Sequence, residues 1–422
     1  MPPELTHHAS GVVGVLLHRG YRRYLIGTIT ASTGLWICET ALLWWIQSQT
    51  GSSTAIGVFL SVVTVPFVVG AFWGGVLTDR FGPRPLMAIA ALAWGIAVGG
   101  GAVLALTNSL SLGWVLSIGF VLGAFDSFWT VPIQIMAAAS VERDLTAAAV
   151  GAFPLQYGVG RLIGGLGGGL LVALSGVPLA MVLACVTLIV AALIVVSIPY
   201  NQPLATVRLT HPERQSAALR WVVQNPVAAT ILVLAAVASV ITFSYTTLLP
   251  AIALSSLSSG ATGLGVLTAA GGIGILVISM WTDRIGIQYG RARLVVAVVA
   301  ITGVALAVLA ISPNIVLSAL ACAAAAGLLM VFISTCSLLL QAWSPPGIRG
   351  RAVSVFSLVF WGALPIGSLL VGWTSDHVGP RAVLLGCGAL SVACAFTVAL
   401  AKRDFVRVNV DNAGQPAELA KL

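Results

Sequence analysis

The chain has 422 residues, of which 59% are hydrophobic and only 8% are charged, and its formal net charge is +8. A soluble domain usually carries about 25% charged residues, because charge and polarity keep its surface in water. The composition therefore excludes an ordinary soluble protein and indicates a protein that uses lipid as its solvent. The basic residues are scattered over short polar segments, which positive-inside membrane topology explains better than nucleic-acid binding does.

Apolar runs separated by short polar breaks make up most of the chain. Runs of about 20 residues or more cross a bilayer as helices, whereas a membrane β-barrel would show alternating segments of about ten residues. In lipid, backbone polar groups have to be satisfied within the chain, and helices do this. We predict twelve spans, at 24–47, 54–78, 85–107, 112–137, 147–172, 177–199, 227–250, 261–282, 293–311, 315–341, 352–373 and 381–401.

The longest polar interruption, 200–226, divides these spans into two sets of six. The sequence therefore predicts an all-α integral membrane protein. Its parts are an N-terminal six-helix bundle at 1–199, a cytoplasmic central loop at 200–226, a C-terminal six-helix bundle at 227–401 and a cytoplasmic tail at 402–422.

The basic residues predict the orientation of the chain in the membrane. Of the 20 lysines and arginines, all except Arg161 and Arg381 fall in segments that share one side when the N-terminus is inside. Because cytoplasmic loops carry an excess of lysine and arginine, both termini are predicted to be cytoplasmic. If one helix were miscounted, the basic residues would fall on both sides of the membrane. Their one-sided distribution therefore also supports the count of spans.

The first span contains a carboxylate, Glu39, with no basic partner at its own depth along the helix. Charges inside a membrane are costly and suggest function, and an isolated carboxylate in an apolar environment favours its protonated form. We therefore expect Glu39 to carry a coupling proton or to bind a cation; a carboxylate that reaches the outer interface is the alternative. Trp36, one turn earlier, is the tryptophan of this span best placed to line a cavity.

A polar sequence recurs along the chain. The pattern Thr-Asp-Arg-x-Gly follows the second span at 78–82 and the eighth span at 282–286. A third, less exact copy at 375–381 ends in Gly-Pro-Arg. The same three residues, at 82–84, end the first copy when it is extended by two residues. Repeats at about half the chain length are typical of transporters built from duplicated units, whose site lies near the midplane between the repeats.

The fourth and fifth spans each contain one charge, Asp126 and Arg161. Counted from the cytoplasmic ends at about 1.5 Å per residue, their depths differ by only about 5 Å, so an Asp126–Arg161 pair is within reach. The pair is either a static neutralisation of two charges or a contact that breaks when a proton or substrate binds. Together with Glu39, these residues are the predicted proton-coupling set.

Glycine recurs at helical spacing in the fifth span. Small residues four apart allow helix backbones to approach closely in lipid. We expect Gly160, Gly164 and Gly168 to form a smooth face at the interface between the two halves; ordinary small-residue packing is the alternative. The full glycine set consists of Gly151, Gly160, Gly164, Gly165, Gly168 and Gly169.

Aromatic side chains accompany the charges and offer faces to planar or cationic ligands. Packing inside the bundles is the other use such residues have. Besides Trp36, the residues predicted to line a substrate cavity are Phe125, Trp129, Tyr157, Phe243, Tyr245 and Trp361.

Catalytic chemistry has little support in this sequence. The five histidines lie outside the predicted spans, and the six cysteines lie in apolar runs without a CxxC pair. No Ser/His/Asp grouping, metal-ligand cluster or nucleotide-binding loop is recognisable. We therefore expect no catalytic residues, no metal site and no cofactor, with a proton gradient as the energy source.

The chain resembles the major facilitator superfamily over essentially its whole length. Segment 75–84, Gly-Val-Leu-Thr-Asp-Arg-Phe-Gly-Pro-Arg, resembles the superfamily's signature between helices 2 and 3, with Pro83 where a basic residue is usual. The glycines of the fifth span resemble the antiporter signature, with Gly165 in place of its proline. Segments 131–143 and 348–353 resemble the branch of macrolide and siderophore exporters.

The resemblance implies a major facilitator fold of twelve helices in two six-helix bundles. It also implies a conformational latch in which Asp79 lies near the positive N-terminus of the eleventh span and favours the outward-open state; a solvated turn is the alternative reading. The implied latch residues are Gly75, Asp79, Arg80, Gly82, Arg84, Asp283 and Arg284.

We predict a secondary transporter that exports an amphiphilic small molecule, such as an antibiotic or siderophore, in exchange for protons by alternating access. Proton-coupled uptake by symport is the alternative, because the superfamily's arginine-bearing signature in the fourth span is absent. A non-transporting receptor on the same fold is a third possibility. The expected partners are small-molecule substrate, protons and the lipid bilayer, not nucleic acid, for a monomer in the bacterial cytoplasmic (inner) membrane.

Overall fold

The structure is a computed structural model, and it describes residues 14–16, 18–199, 219–345, 347–402 and 405. Within these residues all regular structure is helical, so the prediction of an all-α protein is confirmed. Most of the predicted central loop (200–226) and of the predicted tail (402–422) lies outside the described residues.

Eleven helices of the described part are long and apolar enough to cross a membrane. Short helices at Arg143–Leu145, Thr146–Gly151 and Thr282–Tyr289 lie between them. The long helices are α1 (Arg19–Thr50), α2 (Ser53–Phe81), α3 (Pro83–Leu106), α4 (Leu112–Ala139), α5 (Phe153–Val196), α6 (Pro226–Val237), α7 (Gly260–Ser279), α8 (Arg291–Ile311), α9 (Ile315–Trp343), α10 (Arg349–Val378) and α11 (Pro380–Ala401).

Helix α6 is shorter than a bilayer is thick, but helical turns of other types extend it. A π-helical segment at Ala238–Thr242, a 3-10 segment at Phe243–Leu248, one α-helical turn at Leu249–Ala251 and a second π-helical segment at Ile252–Ser256 follow it without a break. The combined stretch Pro226–Ser255 is 30 residues long, which is enough to span.

Helix α5 accounts for the difference between eleven helices and twelve predicted spans. Its 44 residues would extend about 66 Å, roughly twice the thickness of the hydrocarbon core. Gly176 interrupts it with φ 80° and ψ 172°, between the predicted fifth and sixth spans. Two crossings joined at Gly176 fit this length, and the count of twelve and the orientation stay predictions.

Glycines with similar backbone angles stand at four helix junctions. Gly82, Gly176, Gly290 and Gly379 have φ values of 84°, 80°, 87° and 89°, which side-chain-bearing residues adopt only with strain. Three of these glycines immediately precede α3, α8 and α11, and Gly176 precedes the second part of α5. The sequence repeat contains Gly82 and Gly379, and the structure adds Gly176 and Gly290 to them.

The arginines after the two Gly-Pro steps make matching contacts. Arg84 donates to the carbonyl oxygen of Ile198 at 3.2 Å, and Arg381 donates to that of Ser312 at 3.1 Å. Both acceptors lie just beyond the C-terminal end of a long helix, where carbonyls lack helical partners. The repeated Gly-Pro-Arg therefore fastens the start of one helix to the end of another.

We expect Gly379→Ala to lower the free energy of unfolding by about 1–3 kcal/mol, because alanine would be strained at this positive φ. Thermal unfolding of the detergent-purified protein would measure the change. Gly386→Ala is the control, since a Cβ at Gly386, in the helix that follows Gly379, meets open space. Equal shifts in Tm for the two variants would contradict the assignment of strain to Gly379.

Contacts divide the chain into two compact units that differ from the two halves of the sequence. The first comprises Met1–Gly51, Val62–Arg208 and Ser258–Gly272, and the second comprises Ser52–Ser61, Leu209–Leu257 and Ile273–Leu422. The beginning of α7 therefore packs with the first unit, and the beginning of α2 packs with the second. The predicted bundle boundaries at 1–199 and 227–401 stay predictions.

The surface carries large apolar side chains that water would not tolerate in such number. Examples spread along the chain are Val69, Ile96, Leu174, Met280 and Phe396, each largely exposed. Extended apolar surface is a liability in a soluble protein, whereas lipid tails solvate it. The exposed residues therefore agree with the membrane location that the composition predicts.

Candidate functional site

Arg161, on α5 in the first unit, is buried, and its side chain is only 3% exposed. Its Nε donates to the carbonyl oxygen of Thr268 on α7 at 3.2 Å. Its guanidinium carbon lies 4.7 Å from the ring centroid of Trp36 on α1, a cation–π distance. One arginine therefore contacts two other helices, and one of them, α7, comes from the second half of the sequence.

Glu39 lies near this arginine, and Asp126 lies near Glu39. Both are partly buried, and Glu39 interacts electrostatically with Arg161 and with Asp126. The carboxylate of Asp126 accepts a hydrogen bond from the hydroxyl of Thr130 at 3.4 Å. The three charges, from α1, α4 and α5, therefore form one cluster.

This arrangement corrects one expectation. The sequence placed Glu39 without a basic partner at its depth, but the positive charge of Arg161 acts on it. The error arose because a count along single helices ignores how neighbouring helices are offset. A direct Asp126–Arg161 pair stays a prediction.

Gly271 on α7 makes room for the guanidinium group. A Cβ at this position would lie 2.8 Å from the guanidinium carbon of Arg161, so any side chain there would push the guanidinium out of its present place. Gly271 was not among the predicted site residues, although the many glycines along α7 indicated that a neighbour approaches this helix closely.

The glycines of α5 form two faces. Gly160, Gly164 and Gly168 pack on α1, where added Cβ atoms would meet Ser32, Trp36 and Ile37. The expectation that these three glycines lie between the halves is therefore wrong, because α1 and α5 both belong to the first half. The four-residue spacing identified a packing face but not the helix that covers it.

The other glycine face packs on α7. A Cβ at Gly165 would lie 2.7 Å from a side-chain carbon of Thr268, and one at Gly169 would lie 2.6 Å from the Cα of Gly265. Glycine on both helices thus permits backbone contact between α5 and α7. Gly151 does not take part: it ends the preceding short helix, and a Cβ there meets nothing.

Two predicted cavity residues lie beside the charge cluster. Trp36 and Tyr157 meet edge to face with ring centroids 5.7 Å apart, and Phe153 stacks on Tyr157 at 6.0 Å. On α4, Phe125 meets Phe128 at 5.7 Å. Because Trp36 also contacts Arg161, aromatic surface and charge are continuous in the first unit.

Other predicted cavity residues are packing residues in this structure. Trp129 is 7% exposed and packs on Trp94, with centroids 5.3 Å apart. Tyr245 is 2% exposed. Both offer little surface to a ligand here, because neighbouring helices already cover them.

In the second unit, Phe243 and Trp361 are half-buried and meet edge to face at 5.8 Å. Phe360 contacts both rings. This cluster remains a candidate cavity wall, and its assignment to a substrate site stays a prediction.

The segment that the family resemblance implies to be a latch lies at the end of α2. Asp79 is partly buried, and burial raises the pKa of its carboxyl above the ordinary value. Arg80 is exposed and its guanidinium lies 5.2 Å from the ring centroid of Phe81. Arg84 caps the carbonyl of Ile198 within the first unit, and Gly82 provides the positive φ of the junction.

Gly75, Asp283 and Arg284 are the remaining positions of the implied latch. A Cβ at Gly75 would meet open space. Arg284 is exposed and lies over the ring of Trp281 at 5.1 Å, which parallels Arg80 over Phe81. The side chain of Asp283 lies outside the described part of the structure, so its predicted role is not tested. Among the described residues, no group of three metal-ligating side chains is placed to hold an ion.

The sequence of this chain matches a family of known proteins. Residues 12–416 match the family described as transmembrane secretion effector. The enterobactin exporter EntS of Citrobacter koseri is 25% identical over 367 residues, which cover 86% of this chain and 87% of the exporter. The multidrug efflux pump Tap of Mycolicibacterium fortuitum is 25% identical over 381 residues, or 86% and 90% of the two chains.

Solved structures with the same fold are membrane transporters. The nucleoside transporter NupG superposes with a TM-score of 0.71 at 15% identity, covering 93% of this chain and 100% of NupG. A D-xylose-proton symporter gives a TM-score of 0.69 at 14% identity, covering 91% and 97%. At such identities the likeness shows the fold, and it confirms the predicted fold class.

The family match covers nearly the whole chain, and the relatives and structural neighbours are transporters rather than enzymes. This confirms the predicted resemblance and the multi-pass membrane character. The chain belongs to the transmembrane secretion effector family of the major facilitator superfamily, and it is a membrane transporter.

Proposed function

We propose that this transporter exports amphiphilic small molecules in exchange for protons by alternating access. The observation that carries the proposal is the cluster of Glu39, Asp126 and Arg161, whose arginine is buried and hydrogen-bonded to α7. The relatives named as an enterobactin exporter and a multidrug efflux pump support the direction and the class of cargo.

The charges of the cluster suggest how protons and cargo compete. Two carboxylates and one guanidinium leave one net negative charge when all three are ionised. A charge away from water is costly unless it is compensated, so the cluster is favoured when it holds either one proton or one positive group of a substrate. Competition between these two states is the physical basis of exchange.

Arg161 connects this chemistry to the movement of helices. Its bond to the carbonyl of Thr268 joins α5 to α7, and charge-assisted hydrogen bonds are stronger than neutral ones. A proton on Glu39 removes a negative charge near Arg161, which changes how the guanidinium divides its interactions between the carboxylate and the carbonyl. The occupancy of the cluster thereby biases the contact between α5 and α7.

The aromatic rings beside the cluster suit an amphiphilic cargo. Trp36 and Tyr157 present apolar faces, and such faces bind planar or cationic groups. We place the protein as a monomer in the bacterial cytoplasmic membrane, with both termini inside, small molecules and protons as its partners, and no cofactor besides the proton gradient.

Vesicles of opposite orientation test this proposal. In inside-out vesicles with an acidic lumen, we expect the fluorescent aromatic cation ethidium to accumulate in the lumen, and enterobactin to compete with it. Collapse of the pH gradient should stop accumulation. Accumulation that occurs only in right-side-out vesicles with acid outside would instead support uptake by symport, and accumulation that ignores the gradient would exclude proton coupling.

A further inference from the structure

Asp376, near the C-terminal end of α10, holds the N-terminus of α2 across more than 300 residues of sequence. Its Oδ1 accepts a hydrogen bond from the backbone nitrogen of Ser53 at 2.7 Å. Its Oδ2 accepts from the hydroxyl of Ser52 at 2.6 Å and from the backbone nitrogen and hydroxyl of Thr54 at 3.0 and 2.6 Å. One carboxylate therefore takes four donors from one helix end.

The start of a helix is a favourable place for such a carboxylate. The first N–H groups of a helix have no intrahelical acceptor, and the helix dipole adds partial positive charge there. Capping groups usually come from the same segment of chain, as when the hydroxyl of Ser52 accepts from the nitrogen of Ala55 at 3.2 Å. Here Asp376, from the other half of the sequence, accepts the hydrogen bonds of the other free backbone nitrogens at this end, those of Ser53 and Thr54.

The contact continues along both helices. The hydroxyl of Ser375 donates to that of Ser53 at 3.2 Å, and the hydroxyl of Ser61 donates to the carbonyl of Pro365 at 3.2 Å. Between these points, a Cβ added at Gly57 or at Gly372 would clash with the backbone of the opposite helix. The helices thus pack backbone to backbone over about three turns, with Asp376 at the end.

The repeat in the sequence gives this residue a counterpart. Asp376 stands in Ser-Asp-His-Val-Gly-Pro-Arg where Asp79 stands in Thr-Asp-Arg-Phe-Gly-Pro-Arg. Asp79 lies near the C-terminal end of α2, and Asp376 binds the N-terminal end of the same helix. The two repeats therefore place carboxylates at opposite ends of α2.

We propose that Asp376 is a conformational latch that favours the transport state in which the start of α2 is closed on the end of α10. The proposal rests on the alternating-access function argued above. The two helices come from different halves of the sequence, so a rocking motion of the halves separates them at one face of the membrane. Separation breaks all four hydrogen bonds together, and the predicted topology places this break on the outer face.

Disulfide trapping tests the latch without any substrate. In a background in which the six native cysteines are replaced, Ser53→Cys and Ser375→Cys place two thiols where two hydroxyls are now in contact. With Asp376 present, a mild oxidant should cross-link them rapidly. Asp376→Ala should slow cross-linking by about tenfold, because a carboxylate at a helix N-terminus is lost.

Asp144→Ala, at an exposed position, is the control and should leave the cross-linking rate unchanged. An unchanged rate in Asp376→Ala would overturn the proposal. If that variant fails to fold, Thr54→Val removes one donor while keeping the backbone nitrogen, and a smaller decrease is expected; no decrease would overturn the latch. Because the readout requires neither protons nor cargo, it stays valid if proton-driven export is not found.

Discussion

Replacement of Glu39 by glutamine is expected to abolish transport driven by a pH gradient while the protein remains folded. Glutamine has nearly the shape of glutamate but cannot exchange a proton at membrane depth, where ionisable groups are functional by default. Accumulation of ethidium in inside-out vesicles should fall to the level of vesicles without the protein. Ethidium should bind the purified variant more weakly than the parent and independently of pH, because the cluster then has no net negative charge and only the rings of Trp36 and Tyr157 remain to hold the cation.

Glu142→Gln provides the matched control for this experiment. Glu142 is an exposed glutamate whose contact is with His18 at 3.9 Å, so the same chemical change there should leave coupled transport intact. Full pH-driven accumulation by the Glu39→Gln variant would remove Glu39 from the coupling mechanism.

The second large effect is expected at the contact between α5 and α7. A Cβ at Gly169 would lie 2.6 Å from the Cα of Gly265 and 2.7 Å from the carbonyl oxygen of Ala261. Both are backbone atoms, which cannot move aside as a flexible side chain can. Gly169→Val should therefore prevent closure of these helices and stop transport, with overpacking that costs about 1–3 kcal/mol of stability.

Gly167→Val tests whether the loss of transport in Gly169→Val comes from the position of the valine or merely from its size. Gly167 lies in the same helix, and a Cβ there meets nothing within 4 Å. We expect this variant to express and transport as the parent does. Vesicle uptake and the Tm of both variants would be measured together, and equal transport by the two would show that the α5–α7 contact is not required.

The order of helices along the chain was predictable from composition and spacing. Apolar runs of bilayer length predicted the long helices, because lipid leaves the backbone no other way to satisfy its polar groups. The break in α5 was also foreseeable, since Gly176 lies between two predicted spans and Pro178 follows it. The Thr-Asp-Arg-x-Gly repeat predicted duplicated units, because its first two copies are separated by about half the length of the chain.

The partners of each helix were not predictable in the same way. The spacing of Gly160, Gly164 and Gly168 defines a face, but only tertiary structure shows that α1 covers it and that Gly165 and Gly169 meet α7. Periodicity within one helix carries no information about the rotation or offset of its neighbours. The same limitation hid the influence of Arg161 on Glu39.

Asp376 illustrates what sequence and structure contribute together. The repeat showed that Asp376 occupies the position of Asp79, but it gave no partner for the carboxylate. The four donors at residues 52–54 became visible only in three dimensions, because the contact joins segments more than 300 residues apart. Contacts of such separation depend on the whole fold and leave no local pattern.

In the proposed mechanism, cargo and protons move in opposite directions through this protein. The most direct measurement is made in proteoliposomes that contain a trapped pH indicator, with an ethidium gradient imposed and no initial pH gradient. We expect ethidium that moves out of the liposomes to drive protons in and acidify the lumen, and we expect Glu39→Gln to abolish this acidification. Proton movement in the same direction as ethidium, or none while ethidium is transported, would contradict it.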